Sequence, residues 1–114
     1  IVKRWNFLTG DQLRTIQGFG KEVTAITFAG DDNGVVASSG DKTVRMKNAD
    51  NGGDMRSFGG ATDFLYSVAA SADGKLIVAG GADGVVLVWN DQGQPITTFA
   101  PPAAPPTTPV AAPK

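Results

Sequence analysis

Few residues in this sequence have the types and spacings that chemistry requires. The 114 residues include no histidine and no cysteine. That removes thiolate nucleophiles, disulfides, histidine-ligated metals and Ser-His-Asp triads. Gly18-Phe19-Gly20-Lys21 has the outline of a phosphate loop. It lacks the wider glycine spacing, the Ser or Thr after the lysine, and a following helix to present its N-terminus, so it reads as a turn. Asp31-Asp32-Asn33-Gly34 gathers carboxylates, but a calcium loop needs acids at alternating positions and a distal glutamate. A hairpin turn explains the same four residues. Asp63 and Asp73 show no paired-carboxylate logic. Arg4, Arg14, Arg45 and Arg56 recur at strand positions, where long cationic stems usually cover neighbouring strands and pair with acids. The residues therefore give no catalytic, cofactor-binding or metal-binding set, and an enzyme is not expected here.

Charge and composition narrow the field further. Ten Lys plus Arg face eleven Asp plus Glu, for a net charge of −1. That balance gives no electrostatic footprint for nucleic acid or an anionic membrane. No apolar run approaches the ~18 residues of a membrane-spanning helix, and no signal peptide is recognisable. The chain opens on Ile1 rather than Met, so further sequence upstream is expected. Missing cysteine is compatible with the cytoplasm or an extracytoplasmic site. Ten of the eleven acids are Asp, with Glu22 the single Glu. Asp favours turns and caps, whereas Glu favours helix interiors. Fifteen glycines are spread along the chain, leaving little room for helices of ordinary length. Short apolar runs between turn signals predict an all-β protein.

The C-terminal end has a different character. Residues 100–114 read APPAAPPTTPVAAPK and hold six of the seven prolines. With few backbone donors and little to bury, this segment is expected to be a flexible, polyproline-like tail.

Residues 1–99 contain an internal repeat. Shifted by 42 positions, the chain matches itself. Trp5-Asn6 falls on Lys47-Asn48 and then on Trp89-Asn90; Gly18 falls on Gly60, Ile26 on Val68 and Asp41 on Asp83. Arg14-Thr15-Ile16 falls on Arg56-Ser57-Phe58 and, after one deletion near Gln92, on Thr97-Thr98-Phe99. A period of this length marks a solenoid, array or propeller. One period predicts four strands: Val23 to Phe28, Val35 to Ser38, Thr43 to Lys47 and Met55 to Phe58. The next predicts Leu65 to Ala70, Leu76 to Ala79, Val85 to Trp89 and Ile96 to Phe99. Turn signals such as Ser39-Gly40-Asp41-Lys42 and Ala82-Asp83-Gly84 separate them. Val85-Val86-Leu87-Val88 shows no alternation, as expected of a sheet covered on both faces. Small antiparallel sheets stacked face to face around an axis form a propeller.

Ser71-Ala72-Asp73-Gly74-Lys75-Leu76, Asp83-Gly84 and Val85 to Asn90 resemble the second half of a WD40 repeat, as does Asp41 to Met46. The resemblance covers residues 1–99 and suits degenerate repeats of bacterial type. It implies propeller blades of four antiparallel strands: half a blade in 1–16 and full blades in 23–58 and 65–99. Propellers close at ~4 to 8 blades, so two and a half imply a C-terminal portion whose ring is completed by upstream sequence or by other copies of the chain. The signature Trp-Asp becomes Trp-Asn or Lys-Asn, the Gly-His dipeptide becomes Gly18-Phe19 and Gly60-Ala61, and the strand hydroxyl aligns with Ala37 and Ala79. The family's buried polar network therefore cannot form as a whole. Asp41 and Asp83 keep a local role in closing tight turns.

In the family, the loops between blades and the turns between middle strands form a rim that docks proteins or peptides. The resemblance places Phe19, Lys21, Glu22, Lys42, Asp63 and Phe64 on that rim, with Phe19 and Phe64 either anchoring a partner or packing between blades. Three functional readings follow. One is a non-enzymatic interaction scaffold. Another is the propeller portion of a multidomain enzyme or redox protein whose chemistry lies upstream. The last is a self-assembling subunit whose copies close one ring.

Overall fold

The computed structural model describes residues 1–30 and 33–101. The expected tail beyond Pro101, and Asp31-Asp32 of the first hairpin turn, lie outside them. Ten strands form three antiparallel sheets and no helix occurs among the described residues. The first sheet pairs β1 (Val2–Trp5) with β2 (Gln12–Ile16). The second runs in order β3 (Val23–Ala29), β4 (Gly34–Ser39), β5 (Val44–Asn48) and β6 (Asp54–Phe58). The third repeats that order with β7 (Leu65–Ala70), β8 (Leu76–Gly81), β9 (Val86–Asn90) and β10 (Pro95–Phe99).

Most strand ends differ from expectation by one or two residues, and three of them have a local reason. Val85 belongs to a turn because its N–H donates to the Asp83 carboxylate at 3.1 Å. β8 runs on to Gly81, which pairs with Leu65 after a bulge that leaves Tyr66 unmatched. Gly34 opens β4 because it pairs with both Ala29 and Asn48.

Pairing registers decide which side chains share a face. Thr27, Val36, Met46 and Arg56 align across the second sheet, as do Ala25, Ser38, Val44 and Phe58. This face meets Leu65, Ile77, Ala79, Leu87 and Trp89 of the third sheet in one core cluster. Trp89 and Phe58 stack tilted, with ring centroids 5.6 Å apart. The opposite face, through Ala37, meets Val2 and Ile16 of the first sheet in a second cluster. All of β4 is therefore buried, Ser38 and Ser39 included. β9 alternates between buried and half-buried, because the described residues cover only one of its faces. The Thr24 hydroxyl adds a direct link between the inner strands, donating to the Leu65 carbonyl at 2.8 Å.

The repeat shows how much a neighbouring sheet matters. Ile16, Phe58 and Phe99 occupy one repeat position. Ile16 and Phe58 are 1% and 0% exposed, and Phe99 is 60% exposed. Truncating a fully buried phenylalanine removes its transfer free energy and leaves a cavity, whereas an exposed ring has little to lose. Phe58→Ala is expected to cost about 3–5 kcal/mol of folding stability, and Phe99→Ala about 0.5 kcal/mol or less. Urea denaturation of the two variants measures the difference.

Candidate interaction rim

One end of the stack is built from the β2–β3 loop, the β4–β5 turn, the β6–β7 loop and the β8–β9 turn. Asp41 anchors the first pair. Its carboxylate accepts the Gly20 N–H at 2.7 Å, the Thr43 N–H at 3.1 Å and the Thr43 hydroxyl. Asp83 repeats the design, accepting the Thr62 hydroxyl at 2.6 Å and the Val85 N–H at 3.1 Å. Gly20 and Thr62 are repeat equivalents, so each turn aspartate ties its turn to the loop entering the same sheet. Burial pushes the Asp41 carboxyl up, but donors from Thr43, Gly20 and Ser39 together hold it below the usual carboxylate value. The Thr62 hydroxyl, then the Val85 N–H, hold Asp83 low as well.

The position of the signature tryptophan makes the second tie to the same loops. Trp89 is fully buried and donates its indole N–H to the Gly59 carbonyl at 2.9 Å. Lys47, its repeat equivalent, is buried too. Its ammonium bonds the Asp54 carboxylate and sits 5.6 Å from the centroid of the Phe19 ring. Contact with an opposite charge and an aromatic face is what allows a lysine to be buried there. The Lys47–Asp54–Phe19 cluster was not legible in the sequence, although a lysine in a column of tryptophans was its signal.

Phe19 thus points inward, half-buried against the cluster of Val2, Ile16 and Ala37. Phe64 is half-buried as well, and Gly40 makes room for it. A Cβ added at Gly40 would overlap the Phe64 ring and lie 3.0 Å from the Glu22 carboxylate. The Gly40 N–H donates to the Glu22 carbonyl at 2.9 Å. Gly40, Glu22 and Phe64 therefore meet where the second and third sheets join. Phe64 also stacks on Tyr66, centroids 5.0 Å apart, and Tyr66 is 60% exposed. The sequence did not single out Tyr66, because its outward turn comes from the β7 bulge. Lys21, Glu22 and Lys42 are exposed, and Asp63 is half-buried with its carboxylate accepting the Phe64 N–H at 2.7 Å.

Of the recurrent arginines, Arg45 stays at the rim, 4.0 Å from the Asp41 carboxylate, and Arg4, Arg14 and Arg56 lie at the other end of the stack. Arg14 donates to the Asp50 carbonyl at 2.9 Å, and Arg4 pairs with the Asp50 carboxylate at 2.6 Å. Arg56, the equivalent of Arg14, reaches the Gln92 side chain at 3.4 Å. Each outer strand is so clasped to the next sheet's final turn. Among the described residues no group of three His, Cys, Asp or Glu side chains is placed to hold a metal ion. Among the described residues no helix is long and apolar enough to cross a membrane.

The family profile described as "WD domain, G-beta repeat" matches residues 10–46 and 52–90. The chain belongs to the WD40 repeat family. Among curated WD40-containing relatives, the human "WD repeat and SOCS box-containing protein 1" is 33% identical over 91 residues, 78% of this chain and 22% of the relative. "Nuclear distribution protein nudF" of Emericella nidulans is 32% identical over 79 residues, 68% of this chain and 18% of the relative. The chain thus spans about a fifth of the length of these eukaryotic relatives. The crystal structure of the computationally designed Ika8 protein superposes with a TM-score of 0.75 at 35% identity, covering 85% of this chain and 30% of that one. The RRP9 WD40 repeats superpose with a TM-score of 0.72 at 21% identity, covering 77% and 28%, which shows the shared fold.

The Asp41 ties fasten the β4–β5 turn to the incoming loop, and their loss is measurable. The lowered carboxyl pKa means that the stabilisation is fully present above the unfolded value of 3.8. It is lost as pH falls through the lower folded value. Asp41→Asn is expected to cost about 1–2 kcal/mol at neutral pH, the scale of hydrogen bonds to a charged group. The gap between variant and parent stays constant down to about the unfolded carboxyl pKa and narrows below it, as urea denaturation across acidic pH would show.

Proposed function

We propose that this chain is a non-enzymatic segment of a WD40 propeller serving as a protein-interaction scaffold, with its docking surface on the rim of Lys21, Glu22, Lys42, Asp63, Phe64 and Tyr66. The observation that carries this reading is Lys42. It adopts a left-handed backbone at φ 71°, the only described non-glycine residue with positive φ. Its repeat equivalent is Gly84, with φ 78°. A side chain in that conformation costs about 1–2 kcal/mol. A strained, exposed cation where the sister repeat uses glycine is the pattern expected of a residue kept for contact with a partner.

The surroundings support the same reading. Phe19 packs inward, and the half-buried Phe64 backs Tyr66, which faces solvent. Exposed tyrosine on a rigid strand contributes contact area at small entropic cost. Mixed charges around it favour a polar peptide or protein surface over an anionic polymer. The loops are fixed by Asp41, Asp83 and Gly40 rather than by the partner, so binding would not bear their ordering entropy. The fit of the two full blades to longer WD40 proteins supports a second element of the proposal: the remaining blades of a ring are this segment's first partners.

Lys42→Gly separates contact from folding. Its urea midpoint is expected to hold or rise, by about 0.5–1 kcal/mol of stability after the entropy of glycine offsets the relieved strain. A photo-crosslinker at position 66 of the parent protein should capture one protein species that the same group at position 97 does not, and Lys42→Gly should reduce that capture several-fold. Equal capture from both positions, or capture indifferent to Lys42→Gly, would overturn the rim assignment.

A further inference from the structure

The junction between the second and third sheets is bounded by two four-stranded sheets, yet it is not filled at the end away from the rim. A hollow of about 240 Å³ opens there, lined by Met46, Met55 and Arg56 of the second sheet and by Asp73, Gly74 and Asp91 in the turns of the third. One wall closes where the β3–β4 and β7–β8 turns meet. A Cβ added at Gly74 would lie 3.2 Å from the Gly30 nitrogen, and one at Gly30 would lie 3.4 Å from the Asp73 carbonyl. Glycine at both places lets the two backbones approach.

The junction between the first and second sheets shows which group fills the same position. Met46, Arg56 and Asp91 are the repeat equivalents of Arg4, Arg14 and Ala49. Arg4 and Met46 each lie two residues after a valine packed toward the next sheet, Val2 and Val44, so both face that sheet. One terminal nitrogen of Arg4 donates to the Ala49 carbonyl at 3.2 Å and to the Asp50 carboxylate at 2.6 Å. Arg14 donates to the Asp50 carbonyl at 2.9 Å. Two guanidinium groups thus share one turn. In the second junction Arg56 keeps its half of this arrangement, reaching the side chain of Gln92, the equivalent of Asp50, at 3.4 Å. The other guanidinium is missing because Met46 stands where Arg4 would. Asp73 and Asp91 leave two carboxylates beside a single cation in the hollow. Among the described residues the Asp91 carboxylate joins no ion pair.

We infer that this hollow accepts an arginine side chain of a partner protein, whose guanidinium takes the place that Arg4 fills in the neighbouring junction. The aliphatic stem lies along Met46 and Met55, whose flexible thioethers adapt to a guest. The planar head donates to the Asp91 and Asp73 carboxylates, with Arg56 left on Gln92. An arginine within a peptide suits the site better than the free amino acid, because a free α-carboxylate would meet the same acidic turns. The site lies at the opposite end from the rim, so the inference stands apart from the rim assignment.

The probe is N-acetyl-L-arginine amide, titrated into the chain with its two methionines methyl-labelled for nuclear magnetic resonance. The methyl signals of Met46 and Met55 and the amide signals of Gly30 and Gly74 should shift together and saturate. N-acetyl-L-citrulline amide, similar in shape but uncharged, should leave them in place. Asp91→Asn changes an exposed turn position where the sister repeats carry Phe7 and Ala49. It should weaken binding about five- to tenfold, the scale of one charge-assisted hydrogen bond. Met46→Arg supplies the guanidinium from within, as Arg4 does, and should abolish binding; if that variant loses its dispersed spectrum, Asp91→Asn decides alone. No saturating shift at millimolar probe, equal binding of the citrulline amide, or binding indifferent to Asp91→Asn overturns the inference. Tighter binding of free L-arginine than of the blocked amide would make the ligand a free amino acid and overturn the assignment to a partner protein.

Discussion

Each sheet of this chain carries apolar side chains on both faces, and a four-stranded sheet cannot bury both by itself. Burial at roughly 25 cal/mol per Å² is the main favourable term available, so stability depends on a neighbour against each face. The second sheet has both neighbours, and its β4 is buried from end to end. The third has one, and the first has two strands among the described residues. The exposures of Ile16, Phe58 and Phe99 read out that single constraint at three places in one repeat column.

The ties between turns and incoming loops are divided between two repeat positions. Asp41 and Asp83 tie turns to incoming loops through backbone or hydroxyl donors, while Trp89 and Lys47 fasten the same loops from the neighbouring strand. Lys47 manages this with a carboxylate and an aromatic face in place of an indole ring. Because the two ties are independent, one repeat can exchange tryptophan for lysine without disturbing its aspartate. The loops at this end are thus held from two sides.

The 42-residue period made the fold legible. Phe64 to Ala70 alone has a helical alternative, and alignment with the β-branched run Val23 to Phe28 decides for strand. Turn chemistry placed Asp41 and Asp83 where the structure has them accepting backbone N–H groups. The rim was legible only as a set of loops. Whether Phe19 or Phe64 faces in or out depends on Gly40, Lys47 and other residues distant in sequence. Tyr66 faces out because of a bulge that no local pattern encodes. Lys47 was hidden by its type, since lysine is rarely buried without a partner, and the partner, Asp54, lies on another strand.

Native-state hydrogen exchange tests the central claim most directly, since amide protection follows how firmly each strand is covered. The account predicts a gradient in the isolated chain: β4 and β5 slowest, β9 intermediate, and β1 and β10 fastest. Protection of β1 and β10 equal to that of β4 would mean that the outer faces are already covered, and would contradict it.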